Sequence, residues 1–171
     1  DSLAQLASQN GWSPRRQNVS IGLKNNGMAI DLVPARIQSG YQNWHSLYKS
    51  KSDSWTQTNV ATHINTVASS NRIDEIRAIK IWRNLQGIDF PSFYLELTVI
   101  NALYRHRTNT LASNVLAVLR YIADSLPSSR INDPANTNNC ISSDLTLAEK
   151  QGIAAKARLS AQARTWGEII W

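Results

Sequence analysis

At 171 residues the chain has the length of one compact unit, and 42% apolar content with only 18% charged residues is enough to bury a core, which excludes general disorder. No run approaches the roughly 18 uninterrupted apolar residues of a membrane span and no charged-then-apolar leader is visible, so a soluble cytoplasmic protein is expected. The single cysteine, Cys140, cannot make an intramolecular disulfide and has no Cys or His at zinc-ligand spacing, which leaves an inert thiol rather than a secreted scaffold or a zinc module.

Along the chain, Leu3, Leu6 and Ala7 share one helical face up to the stop at Gly11. Val19, Ile21 and Leu23 alternate with polar or small residues, Lys24-Asn25-Asn26-Gly27 supplies turn chemistry, and Met28 to Val33 is a second apolar run, together a β-hairpin. Tyr41 to Asn59 carries Trp44, Leu47, Tyr48 and Trp55 around a polar tip at 49–54, a smaller hairpin or an ordered loop. Helical patterns follow over Asn59–Ser70, Arg72–Leu85, Phe93–Tyr104 and Leu111–Leu126. Ile73, Ile76, Ile79, Ile81, Trp82 and Leu85 cover more than half of the second of these, which should make it a central helix. After the Ser-, Asn- and Asp-rich stretch from Pro127 to Leu145, Thr146-Leu147-Ala148-Glu149 reads as a capping box opening a last helix toward Trp171. The fold class expected is α+β: a mainly helical lobe with a small antiparallel β element at its front.

The net charge of +6 (18 Lys and Arg against 12 Asp and Glu) suggests an anionic partner, but the cations are scattered: Arg15-Arg16, Lys49-x-Lys51, Arg105-x-Arg107, Lys150, Lys156, Arg158 and Arg164. Position therefore decides more than the sum. Asp31 interrupts an apolar strand, where an uncompensated charge is costly; alternation turns it away from Ile30 and Leu32, toward a cleft or toward a cation such as Arg36. Arg77, Lys80 and Asn84 form one stripe of the Arg72–Leu85 helix, facing either solvent or a phosphate. Ser92 opens the next helix, where free amides favour an anion and where serine is also an ordinary cap. Glu96, one turn on, is expected to pair internally with an arginine. His45, His63 and His106 lack metal-site spacing and read as surface or packing residues; no Gly-rich phosphate loop and no covalent-nucleophile motif is present.

Four segments in order resemble one family. Met28-Ala29-Ile30-Asp31-Leu32-Val33-Pro34-Ala35 is similar to the third-carboxylate strand of the polymerase-β-like nucleotidyltransferases, in the branch of the oligoadenylate synthases and the bacterial cyclic-oligonucleotide synthases of anti-phage defence. Ile76-Arg77-Ala78-Ile79-Lys80-Ile81-Trp82 resembles that branch's Arg-x-x-Lys-x-Trp helix, and Phe90-Pro91-Ser92-Phe93-Tyr94-Leu95-Glu96-Leu97 its Pro-Ser-Tyr-x-Leu-Glu helix start. Asp133-Pro134-Ala135-Asn136-Thr137-Asn138-Asn139 resembles its Asp-Pro-x-Asn-x-x-Asn loop. The resemblance implies that Asp31 is a catalytic, metal-binding carboxylate, that Lys80 and Ser92 contact a donor triphosphate with Arg77 nearby, and that Phe93 stacks on a base. Asp133, Asn136 and Asn139 would be loop contacts, or simply turn formers. It further implies Mg²⁺ for the complete enzyme, nucleoside triphosphates as substrates, and a regulatory protein or RNA as the partners to consider.

One departure matters. The family carries Gly-Ser and Asp-x-Asp motifs ahead of the third-carboxylate strand, and before Asp31 this sequence has only Asp1 as a carboxylate. The expectation is a C-terminal portion of such an enzyme: residues 1–58 a remnant of the catalytic core, and 59–171 the helical lobe. It would be inactive alone, with the apolar face around Val19, Ile21 and Ile30 to be covered by a missing lobe or another chain. The alternatives are a non-catalytic nucleotide- or RNA-binding module and a nucleotidyltransferase that extends RNA ends.

Overall fold

The computed structural model describes residues 2–50, 52–104 and 110–170, and of Asn25 only the backbone. Asp1, Lys51, Arg105, His106, Arg107, Thr108, Asn109 and Trp171 lie outside the described residues. The chain is α+β and divides into two compact units, Asp1–Ala61 and Thr62–Trp171.

The first unit opens with α1 (Ser2–Gln9), which buries Ala4 and Ala7 with Leu3 half-buried and leaves Leu6 56% exposed, so of the expected Leu3, Leu6 and Ala7 face it is Leu6 that turns outward. Strands β1 (Arg15–Arg16), β2 (Ile21–Asn25) and β3 (Met28–Leu32) form an antiparallel sheet in that order. The β2–β3 turn has Asn26 and Gly27 at φ of 48° and 81°. Two successive positive φ values are what a two-residue hairpin turn of matching twist requires, hence Asn-Gly. A second antiparallel sheet is built from β4 (Ala35–Ile37), β5 (Trp44–Lys49) and β6 (Ser54–Asn59), so the Tyr41–Asn59 segment is a hairpin, not a loop. Ser50 ties the sheets together, its amide donating to Asn18 O at 2.8 Å and its hydroxyl to Gln17 O at 2.9 Å. Of the β2–β3 apolar residues only Leu23 is buried; Val19, Ile21 and Ile30 are half-buried, and Met28 and Val33 are exposed.

The second unit contains α3 (Ile73–Leu85), α4 (Ser92–Leu103), α5 (Leu111–Ser125), a 3₁₀ turn (Ile141–Asp144), α6 (Leu147–Ala161) and α7 (Gly167–Ile170); α2 (Val60–Ala68) leads into it. The capping box at Thr146 is formed, with the Thr146 amide donating to Glu149 and the Glu149 amide to Thr146 Oγ1. Thr110 caps α5 through Ser113 N. The centre of the core differs from expectation. α4, whose Tyr94, Leu95, Thr98 and Val99 are wholly buried, occupies it between α3 and α5, while Ile81 and Leu85 of α3 are half or more exposed. The reason is the helix surface: α3 buries Ile76, Ile79 and Trp82 on one face and sets Asp74, Arg77 and Asn84 in solvent on the other, whereas α4 carries a single charge, Glu96. Among the described residues, no helix is long and apolar enough to cross a membrane.

Candidate functional site

The antiparallel seam of α3 and α4 carries three of the polar residues singled out from the sequence, Lys80, Ser92 and Glu96. Lys80 donates to Glu96, and one turn along the same seam Arg83 Nη1 donates to Ser92 Oγ at 3.0 Å and to Phe90 O at 2.9 Å. Glu96 thus pairs with a lysine, not an arginine. The Lys80 and Glu96 side chains are 32% and 16% exposed, so the pair is partly desolvated and stronger than a surface bridge. Ser92 is not a cap: the cap position belongs to Pro91, which offers no side-chain bond, and the Ser92 hydroxyl is the first helical residue's, held by Arg83. Arg77 points elsewhere, bridging at 3.6 Å to Asp74 on its own helix with both side chains exposed. The cation beside Ser92 is therefore Arg83, which sequence spacing passed over because its partner lies nine residues ahead, across a turn.

Phe93, next along α4, is half-buried and stacks on His63 of α2 with ring centroids 4.3 Å apart and planes at 34°. His63 Nε2 in turn donates to Asp133 Oδ1 at 2.7 Å. Asp133 is 4% exposed and also accepts from the Ala135 amide at 2.8 Å and from Asn139 Nδ2 at 3.2 Å. Burial by itself would raise its pKa, but the bonds from His63, Ala135 and Asn139, with the adjacent imidazole, outweigh it and hold the carboxyl below its ordinary value. The loop closes on itself as well, Asp133 N donating to Asn139 O and Asn136 N to Asp133 O. Asn136 and Asn139 thus shape the turn that presents Asp133.

This predicts an acid-dependent contribution. A carboxyl whose folded pKa is depressed stabilises fully above its unfolded value, 3.8 here, and that contribution is lost as pH falls through the folded pKa. Asp133→Asn should therefore unfold more easily than the parent near neutral pH, and the gap should close as pH drops below about 4. Denaturant titrations at stepped pH values measure it; a gap independent of pH would contradict the assignment.

Asp31, in the first unit, is exposed on β3 while Ile30 and Leu32 are half-buried, as alternation requires. Its partner is Gln17, whose Nε2 donates to Oδ1 at 2.8 Å, rather than Arg36. Gly22 lies opposite in the register, and a Cβ there would stand 2.8 Å from Gln17 Nε2 and 3.1 Å from Asp31 Oδ1, so the missing side chain makes room for the pair. Solvent removes the burial cost that the apolar strand seemed to impose. Among the described residues no group of three His, Cys, Asp or Glu side chains converges to hold a metal ion. One carboxylate hydrogen-bonded to an amide does not make a two-magnesium centre, and the residues present do not fit one.

Elsewhere, the buried Glu75 accepts from Asn114 Nδ2 at 2.7 Å and from Arg72 at 3.3 Å, a satisfied internal charge. The Cys140 thiol is drawn below its ordinary value by hydrogen bonds with Ser142 and Ser143.

No family model and no curated protein matches the sequence. Among solved structures, the E. coli MS115-1 CdnC:HORMA-deltaN complex matches with a TM-score of 0.71 at 18% identity, covering 99% of this chain and 69% of that one. E. coli MS115-1 CdnC with ATP matches with the same TM-score and identity, covering 99% and 70%. The α+β fold of this chain is the one seen in CdnC.

Proposed function

We propose that these 171 residues are the C-terminal portion of a nucleotidyltransferase that makes phosphodiester-linked, cyclic oligonucleotide signals from nucleoside triphosphates in cytoplasmic anti-phage defence. The observation that carries this reading is the α3–α4 seam: the ammonium of Lys80, the guanidinium of Arg83 and the hydroxyl of Ser92 lie within two helical turns, and Phe93, whose ring packs on His63, follows Ser92 in sequence. Cations and hydroxyls so grouped neutralise a polyphosphate, and an aromatic face receives a base. The four motifs in family order and a fold shared with CdnC, one structure of which is with ATP, support the same reading. The CdnC complex with HORMA-deltaN makes a regulatory protein the partner to test first, ahead of RNA.

In this reading residues 1–58 belong to the catalytic core and 59–171 to the helical lobe. Asp31 stands where the family's third carboxylate would, and the chemistry that magnesium would supply to the complete enzyme needs further carboxylates beside it; among the described residues no three His, Cys, Asp or Glu side chains converge. The half-covered β2–β3 sheet is then where a catalytic lobe or another chain would pack.

The expected result of incubating this chain with radiolabelled ATP and GTP plus Mg²⁺ is nucleotide binding without pyrophosphate release or oligonucleotide. Oligonucleotide formation that disappears on Asp31→Ala would overturn the inactivity, and lengthened RNA in place of a small cyclic product from the parent protein would favour the RNA-end alternative. Triphosphate binding by a parent protein that never turns over would favour the non-catalytic module.

A further inference from the structure

We infer that His63 is a positioning residue for nucleotide binding, its ring backing Phe93 on the side away from the base while the carboxylate of Asp133 holds that ring in place. This rests on the reading that Phe93 receives a nucleobase. Three elements meet at this one histidine: α2 contributes it, α4 contributes the stacked Phe93 at 4.3 Å, and the 133–139 loop contributes the 2.7 Å bond to Nε2. A phenyl ring at the start of a helix has rotamer freedom that would have to be frozen on binding a base, and a flat ring packed on its rear face freezes it beforehand. The imidazole would itself rotate about χ2, but Asp133 accepts from Nε2 and fixes the ring plane. The carboxylate can do so because Ala135 N and Asn139 Nδ2 anchor it from the loop side, at 2.8 and 3.2 Å. The motif resemblance in the 133–139 loop then has a physical role: the turn exists to aim one carboxylate at the imidazole behind the base platform. Sequence spacing hid this, since His63 and Asp133 are 70 residues apart.

Two substitutions separate ring from hydrogen bond. His63→Phe keeps a ring on Phe93 but leaves Asp133 one donor short, whereas His63→Gln keeps a donor for Asp133 and removes the ring. With fluorescent methylanthraniloyl derivatives of ATP and GTP as probes, His63→Phe should bind within about threefold of the parent yet melt at a lower temperature. His63→Gln should melt closer to the parent yet bind roughly three- to tenfold more weakly. Combined with Phe93→Leu, the His63→Gln loss should not add, because the backing ring acts only through Phe93. If His63→Gln does not fold, His63→Leu, which keeps bulk without the ring, carries the same expectation. Parent-like affinity in the ringless variant, or losses that multiply in the double variant, would overturn the inference. Lys80→Ala separates the two levels: if it weakens probe binding while His63 variants leave it unchanged, only the positioning role falls. If the parent binds neither probe, the nucleotide reading fails and this inference with it.

Discussion

Trp82→Ala should lower the unfolding free energy by about 3–5 kcal/mol, the range for removing a large aromatic side chain from a packed core. Trp82 is fully buried on α3, and its indole N–H donates to Ser160 Oγ on α6 at 2.9 Å. The truncation therefore opens a cavity and also strands a buried hydroxyl, which places the loss toward the upper end. Trp82→Phe refills part of the space but not the hydrogen bond, and should cost about 1–3 kcal/mol. Urea denaturation of the three proteins measures both. Since Trp82 sits two residues beyond Lys80, its packing also fixes the helix that carries the cations, so the position serves fold and site together. A loss below about 1 kcal/mol for the alanine variant would mean that this tryptophan does not anchor the core.

Lys80 and Glu96 should respond in opposite directions. On the proposed seating of a triphosphate, Lys80→Ala would remove a charge-assisted contact worth about 1.5–3 kcal/mol and should weaken ATP or GTP binding roughly 10- to 150-fold. In the unliganded chain that ammonium is held by Glu96, so an incoming triphosphate has to compete with a carboxylate for it and faces that carboxylate's negative charge. Glu96→Gln keeps a side-chain oxygen for Lys80, removes the charge, and should tighten binding severalfold while slightly destabilising the α3–α4 seam. Calorimetric titration of both variants checks the signs. A carboxamide variant that binds more weakly than the parent would show that Glu96 orients the ammonium toward the nucleotide instead of competing for it.

The elements legible in the sequence were those with enough length to show a period or a cap. The Asn26-Gly27 turn, the Thr146–Glu149 capping box and the helices α3 to α6 fall in this group, whereas the last helix expected to run toward Trp171 ends at Ala161 and the four-residue α7 is a separate element. β1 has two residues and β4 three, too few for alternation to register, and both exist because a longer neighbouring strand offers an edge to pair with. The centrality expected of α3 went to α4 because α3 sets Asp74, Arg77 and Asn84 among its apolar positions and so keeps a face in solvent, whereas Glu96 is the single charge of α4. The candidate site was half legible for a similar reason. Lys80, Ser92, Phe93 and Asp133 stand in motifs, but Glu96 as the partner of Lys80, Arg83 as the partner of Ser92, and His63 behind Phe93 are pairings across separations of 16, 9 and 30 residues that only packing creates. For Asp31, alternation already turns the carboxylate away from Ile30 and Leu32, and what the sequence hides is its partner, Gln17 fourteen residues earlier rather than Arg36.

The claim at the centre of this account is that a nucleoside triphosphate seats on the α3–α4 seam, and amide chemical-shift mapping of the isotope-labelled chain with a non-hydrolysable ATP or GTP analogue tests it most directly. Saturable shifts concentrated at Lys80, Arg83, Ser92 and Phe93 and extending to His63 and Asp133 are the predicted result. Shifts confined to the β hairpins, or none at millimolar nucleotide, would contradict it.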